Sequence, residues 1–176
     1  KNNLSFKSKI REFPFSVGIG IHDSSASLAP YIMQSREKFI LISTGTWCIN
    51  MNPFNHEPLT REQLENDCLS YLSISQKPVK SSRLFMGHIH NVNLEQLVKH
   101  FKVDKKYYKQ VKFNKDLIFK QKDDTNGFFR NMINKDYIDK DIDLTKFVSF
   151  EEAYHRLIMD LTDLNLKSIN YILPEN

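Results

Sequence analysis

Glycine is scarce in this sequence, with 5 of 176 residues. That removes the collagen-like class, which needs glycine at every third position. Cysteine is scarcer still. Cys48 and Cys68 are too few for a disulfide framework, and the expectation is two reduced thiols in a cytoplasmic protein. Long apolar runs are missing: none approaches the ~20 residues needed to cross a bilayer, so no membrane is expected as a partner. The one early apolar run, residues 17–21, is interrupted by Gly18 and Gly20 and followed by His22-Asp23. It does not make a signal-peptide core. There is no internal repeat and no low-complexity tract. What remains has globular proportions: 40% hydrophobic, 12% aromatic and 26% charged residues, which excludes a wholly disordered chain. The 25 Lys+Arg against 21 Asp+Glu leave a mild net charge of +4. The length suits one domain with a single sizeable core.

Residues 1–16, basic and closed by Pro14, read as a lead-in segment. Residues 17–21 then read as a short buried strand, with small residues where another backbone comes close. Asp23 before Ser24 and Ser25 is a good N-cap for a short helix through Ala26, Leu28, Ala29 and Ile32, strained by Pro30. The apolar, β-branched residues 39–43 and residues 47–51 flank Thr44-Gly45-Thr46 and predict a hairpin. Thr60 with Gln63 predicts a capping box. The helix it opens would carry Leu64, Cys68, Leu69 and Leu72 as its apolar stripe. Residues 83–86 read as a short strand or turn before Gly87. A short helix follows, with Leu94, Leu97, Val98 and Phe101 on one face. Ser149 and Glu152 cap the longest helix, whose stripe runs through Ala153, Leu157, Leu161 and Ile169 until Pro174. Strands and helices alternate, which predicts a mixed α/β fold.

Two segments carry chemistry. In Gly18-Ile-Gly-Ile-His-Asp-Ser-Ser-Ala26 an acid stands at the mouth of a helix that follows a strand. Ligands of open α/β sheets bind at such strand ends, and a carboxylate there can deprotonate a substrate hydroxyl. The plainer reading is that Asp23 only caps its helix. In Ser43-Thr-Gly-Thr46 the glycine permits a positive φ, so successive N–H groups can point into one concavity that suits phosphate oxygens. The plainer reading here is an ordinary polar turn.

Together the two segments, 22 residues apart from Asp23 to Gly45, resemble the FGGY carbohydrate kinases, and within them the rhamnulokinase and fuculokinase side. A His-Asp step followed by small residues, then a Ser-x-Gly-Thr-Trp hairpin, is the shared pattern. Asn52-Pro-Phe-Asn-x-x-Pro-Leu-Thr60 and Lys77-Pro-Val-Lys-Ser-Ser-Arg-Leu-Phe-Met-Gly87 resemble the same bacterial kinases. The resemblance implies an actin-like, ribonuclease-H-like ATPase domain, a mixed sheet with flanking helices. It implies that MgATP phosphorylates a sugar hydroxyl, of a ketose or deoxy-ketose. Asp23 matches the general base. Thr44, Gly45 and Thr46 match the turn that faces the ATP phosphates, and His22 is expected at the sugar. The implied cofactors are ATP and Mg2+. Family members are more than twice this length, so residues 17–176 are expected to be an incomplete, nucleotide-side C-terminal domain with little activity alone. An incomplete sheet leaves edges uncovered, so self-association into a homo-oligomer is expected. The alternative is a non-catalytic α/β domain that binds a ligand or partner.

Other features point to no chemistry. Residues 99–122 carry nine lysines against two aspartates, interleaved with aromatics. They match no known nucleic-acid motif and are read as a solvated face. His88-x-His90 lacks further ligands at metal spacing. His155 is expected to be exposed, Cys68 to be a small core residue, and Trp47 to be a packing anchor.

Overall fold

The computed structural model describes residues 5–10, 13–18, 22–122, 127–129 and 142–174, the first two segments as backbone only. In chain order the elements are β1 (Ser5–Ile10), β2 (Phe13–Gly18), α1 (Asp23–Ser27), α2 (Ala29–Gln34), β3 (Leu41–Ser43), β4 (Cys48–Asn52), α3 (Arg61–Glu65), β5 (Cys68–Leu72), β6 (Pro78–Leu84), α4 (Met86–Phe101), α5 (Lys115–Gln121) and α6 (Phe150–Asn170). Short 3-10 turns at Tyr107–Gln110 and Leu144–Lys146 complete the set. The mixed α/β pattern is the one expected from the alternation of strand and helix signals.

The chain divides into two compact units. The first takes Lys1–Ser43, Ile49–Arg83 and Ser168–Asn176; the second takes Thr44–Cys48 and Leu84–Lys167. Each has its own buried cluster, where the length alone suggests one.

In the first unit, β1 and β2 pair antiparallel from Ser5 opposite Gly18 to Ile10 opposite Phe13. The stretch read as a lead-in therefore forms a hairpin. The strand expected over residues 17–21 ends at Gly18, and residues 19–21 lie outside the described residues. A four-stranded sheet has the order β3-β4-β6-β5. The hairpin of β3 and β4 is the predicted one, with Leu41 opposite Met51 and Ser43 opposite Ile49. Its core is Leu28, Met51 and Val79, with Ile32, Phe39, Leu41, Ile49 and Tyr71 packed around them. The short helix after residue 22 is in fact two. Leu28 separates α1 from α2, and Pro30 sits in the first turn of α2. Proline is tolerated there because that turn's N–H groups have no helical partner anyway.

The capping box at Thr60 forms as predicted: Thr60 Oγ1 accepts from Gln63 N at 3.2 Å and Gln63 Oε1 from Thr60 N at 3.0 Å. Its helix, however, stops at Glu65. Asp67 turns left-handed with φ 57°, and Cys68–Leu72 becomes β5, paired with β6. Leucines and cysteine spaced by four fit a helix stripe, but on the strand Cys68 alone of residues 68, 70 and 72 is buried. Burial decides it: Leu64 is exposed while Cys68 is buried on the sheet. Thr60→Ala should cost about 1 kcal/mol, read as a lower denaturant midpoint. An unchanged midpoint would show that the box contributes nothing.

Buried amides finish this unit. Asn52 Nδ2 and Asn55 Nδ2 donate to the Ile172 carbonyl at 2.8 and 3.1 Å, and Gln63 Nε2 to the Tyr171 carbonyl at 2.9 Å. They serve carbonyls just past the end of α6, in the region where helix-end acceptors have no intrahelical donor. The Asn-Pro-Phe-Asn stretch thus has a structural use. Lys80 is also buried, 2% exposed, with Nζ 3.4 Å from the Pro58 carbonyl and 3.8 Å from Glu57.

In the second unit, Ile89, Leu94 and Leu97 of α4 pack with Ala153, Leu157 and Leu161 of α6 and with Phe128, Phe147 and Phe150. α4 starts at Met86, well before its predicted apolar face. Ser149 caps α6 by accepting from Glu152 N at 3.2 Å, and the Glu152 carboxylate reaches back to Val148 N at 2.7 Å. His155 is buried, contrary to the sequence reading. Its Nδ1–H donates to the Glu151 carbonyl at 2.7 Å and its Nε2 accepts from Asn114 N at 2.9 Å. A backbone segment outside the helix supplies that second partner, so helical periodicity could not place it. Among the described residues no helix is long and apolar enough to cross a membrane.

Candidate functional site

His22 and Asp23 belong to the first unit. The polypeptide after β2 enters α1 through His22, whose extended backbone (φ −62°, ψ 139°) makes it the N-cap. The cap is therefore His22, not Asp23. Its Nδ1 lies 3.2 Å from Ser24 N. Asp23 stands one residue later, in the first turn, with Oδ1 3.4 Å from Ser24 Oγ, 2.6 Å from Ser24 N and 2.9 Å from His22 Nδ1. Its side chain is 93% exposed, and that of His22 is 55% exposed. His22 is the N-cap by its backbone, Asp23 Oδ1 accepts from the first-turn Ser24 N, and the exposed carboxylate stays open to a ligand. The His22 imidazole stacks on the Tyr71 ring of β5, with centroids 4.9 Å apart.

The Thr44-Gly45-Thr46 turn belongs to the second unit. All three residues are exposed. Among the described residues no glycine has a positive φ, so Gly45 does not form the left-handed nest expected from the sequence. A side-chain carbon added at Gly45 would meet only the Trp47 carbonyl, at an ordinary 3.7 Å. The glycine leaves the face of the turn bare rather than permitting an unusual backbone. What the turn offers an anion is two threonine hydroxyls and an unobstructed peptide edge.

Two features of α4 set this turn. Gly87 N donates to the Thr46 carbonyl at 3.0 Å. A Cβ at Gly87 would lie 3.0 Å from both Thr46 Cα and Thr46 O, so a larger residue would have to push the helix start and the turn apart by a few tenths of an ångström. Trp47 stacks on Phe85 at 4.4 Å and 11°, and Phe85 on His88 at 5.1 Å and 19°. Trp47 is thus the packing anchor the sequence suggested. Gly87 was not singled out as a site residue. The scarcity of glycine was the available signal, since few glycines remain to serve as mere loop fillers.

The other candidates resolve without chemistry. His90 Nε2 lies 3.1 Å from the Tyr154 hydroxyl, and among the described residues no group of three or more His, Cys, Asp or Glu side chains gathers to hold a metal. Cys48 and Cys68 are buried and unpaired with each other. Burial raises both thiols, that of Cys68 to about 11, so neither is a thiolate nucleophile near neutrality. Cys68 is the small core residue expected.

Residues 36–110, a little over two fifths of the chain, match the family model described as the C-terminal domain of the FGGY carbohydrate kinases. The Thr44-Gly45-Thr46 turn and Gly87 lie inside that stretch; His22 and Asp23 precede it. No curated protein matches the chain. Among solved structures, a carbohydrate kinase from Novosphingobium aromaticivorans is similar, with a TM-score of 0.60 at 16% identity. The alignment covers 89% of this chain and 35% of that one. At this identity the likeness is one of fold, and the chain spans about a third of that protein's length.

Proposed function

We propose that this chain is part of an ATP-dependent kinase that phosphorylates a sugar hydroxyl, of a ketose or deoxy-ketose. The observation that carries the reading is the exposed Thr44-Gly45-Thr46 turn, locked onto α4 by Gly87, inside the stretch that matches a carbohydrate kinase domain. Phosphoryl transfer asks a protein mainly for positioning and charge stabilisation. The Thr44 and Thr46 hydroxyls and the bare Gly45 edge suit phosphate oxygens. Asp23, exposed in the first turn of α1, accepts the proton of the attacking hydroxyl, and His22 beside it contacts the sugar. MgATP supplies the phosphoryl group and neutralises its charge. Mg2+ is commonly held through nucleotide phosphates with one or two carboxylates, which fits the open surface of the turn. Location in the cytoplasm and assembly into a homo-oligomer complete the proposal.

The direct test is phosphorylation of a panel of ketoses and deoxy-ketoses by the full-length product with ATP. Turnover of none would leave the reading without support and favour a non-catalytic binding domain. A sharper test concerns the turn. Gly45→Ala fits the backbone, since φ is not positive and the added carbon meets only ordinary contacts. Thermal stability should stay near the parent value while ATP affinity falls about tenfold, ~1.4 kcal/mol. Unchanged affinity by calorimetry would remove the turn from the phosphate site.

A further inference from the structure

We infer that Tyr71 is a positioning residue that holds the Asp23 carboxylate in its working orientation through the His22 ring. This rests on the reading of Asp23 as the base. Asp23 hydrogen-bonds and ion-pairs with its chain neighbours His22 and Ser24. A carboxylate that is 93% exposed and held only locally samples several rotamers. A restraint from elsewhere in the fold reaches it through His22. Tyr71 lies on β5 directly opposite Val79 of β6 and packs against the buried cluster of Leu28, Met51 and Val79. Its ring lies against the His22 imidazole at 4.9 Å and 18°. That imidazole brings Nδ1 to 2.9 Å from Asp23 Oδ1, and with its ring proton on Nδ1 it donates to that oxygen, which also accepts from Ser24 N at 2.6 Å. The sheet therefore fixes a tyrosine, the tyrosine fixes an imidazole, and the imidazole fixes the carboxylate.

The same stack has a second consequence. With Nδ1 directed at Asp23, the ring nitrogen left for a ligand is Nε2. Asp23 and His22 then present an acceptor and an imidazole nitrogen side by side, a match for two neighbouring hydroxyls of a polyol. Loss of the stack disorders the reacting group more than it weakens nucleotide binding, so the cost falls on kcat.

The test uses the full-length protein with ATP and the best ketose of the panel. Tyr71→Leu removes the flat face but keeps an apolar side chain on the strand. It should lower kcat about tenfold with the KM for ATP unchanged, and Tyr71→Phe should restore kcat to within about threefold of the parent. His22→Ala should lower kcat by a similar factor, and adding Tyr71→Leu to it should change kcat less than about twofold, because both act on one chain of contacts. A kcat for Tyr71→Leu within about twofold of the parent, or losses that multiply in the double variant, would overturn the inference. Should Tyr71→Leu fail to fold, Tyr71→Thr, a strand former, takes its place.

An activity-independent readout is the proton resonances of His22 in histidine-labelled protein. They should move downfield when the tyrosine ring current is removed; signals that do not move show there is no stack, and the inference fails. If Asp23→Asn retains turnover, the base assignment fails and the His22 resonances alone decide the Tyr71–His22 contact. If Asp23→Asn is inactive while Tyr71→Leu is fully active, only the role of Tyr71 is lost.

Discussion

Asp23→Asn in the full-length protein should abolish sugar phosphorylation, with kcat down about 10²–10⁴-fold, while ATP still binds. The structure makes this a clean substitution. The carboxylate is solvent-exposed, and the residue in the N-cap position of α1 is His22. Asparagine keeps the oxygen that accepts from Ser24 N at 2.6 Å. What it loses is the basic oxygen pair that takes a proton from an attacking hydroxyl. Folding, judged by thermal midpoint, should be unchanged. Nucleotide affinity, which the proposed reading assigns to the Thr44-Gly45-Thr46 turn, should stay within about twofold of the parent. Turnover near that of the parent would show that another group is the base. A parallel loss of nucleotide binding would show that Asp23 belongs to the phosphate site instead.

Gly87→Ala should have the second largest effect, through the backbone. The added Cβ would stand 3.0 Å from Thr46 Cα and Thr46 O. Both are main-chain atoms and have no rotamer to retreat into, so either α4 or the turn must move. Overpacking of this kind costs about 1–3 kcal/mol. The Gly87 N–H bond to the Thr46 carbonyl at 3.0 Å would stretch with it. The expected result is a lower denaturant midpoint together with at least a tenfold loss of ATP affinity, ~1.4 kcal/mol. The contrast with Gly45→Ala is the informative part. Gly45 has room for a methyl group and should lose binding without stability; Gly87 has none and should lose both. A stable Gly87→Ala variant with parental ATP affinity would show that the contact between α4 and the turn does not shape the site.

The difference between these two glycines marks what can be read along a chain. Scarcity draws attention to both, but neither is explained by local conformation, because neither has a positive φ. Gly87 is glycine because α4 starts against a turn some forty residues earlier, and such a contact leaves no trace in neighbouring residues. The same holds for His155. Its position on α6 is visible in the sequence, but its second hydrogen-bond partner is Asn114 N, far away in the chain. The Asn-Pro-Phe-Asn stretch could be matched to a family pattern, while its work of supplying donors to the Ile172 carbonyl depends on where the end of α6 falls.

By itself the sequence determined the features whose cause lies within a few residues. These are the capping box at Thr60, the Ser149 cap of α6, the hairpin around Thr44-Gly45-Thr46 and the mixed α/β pattern. Hydrogen bonds between near neighbours and the period of apolar residues are enough to specify them. Tertiary structure alone decided the choices where the local reading fell the other way. Residues 68–72 read locally as the end of a helix stripe, and pairing with β6 made them β5 instead. Asp23 reads most plainly as a cap, and the extended backbone of His22 gave the N-cap position to its neighbour. In each case the deciding term is burial or hydrogen bonding with a partner that sequence proximity does not supply.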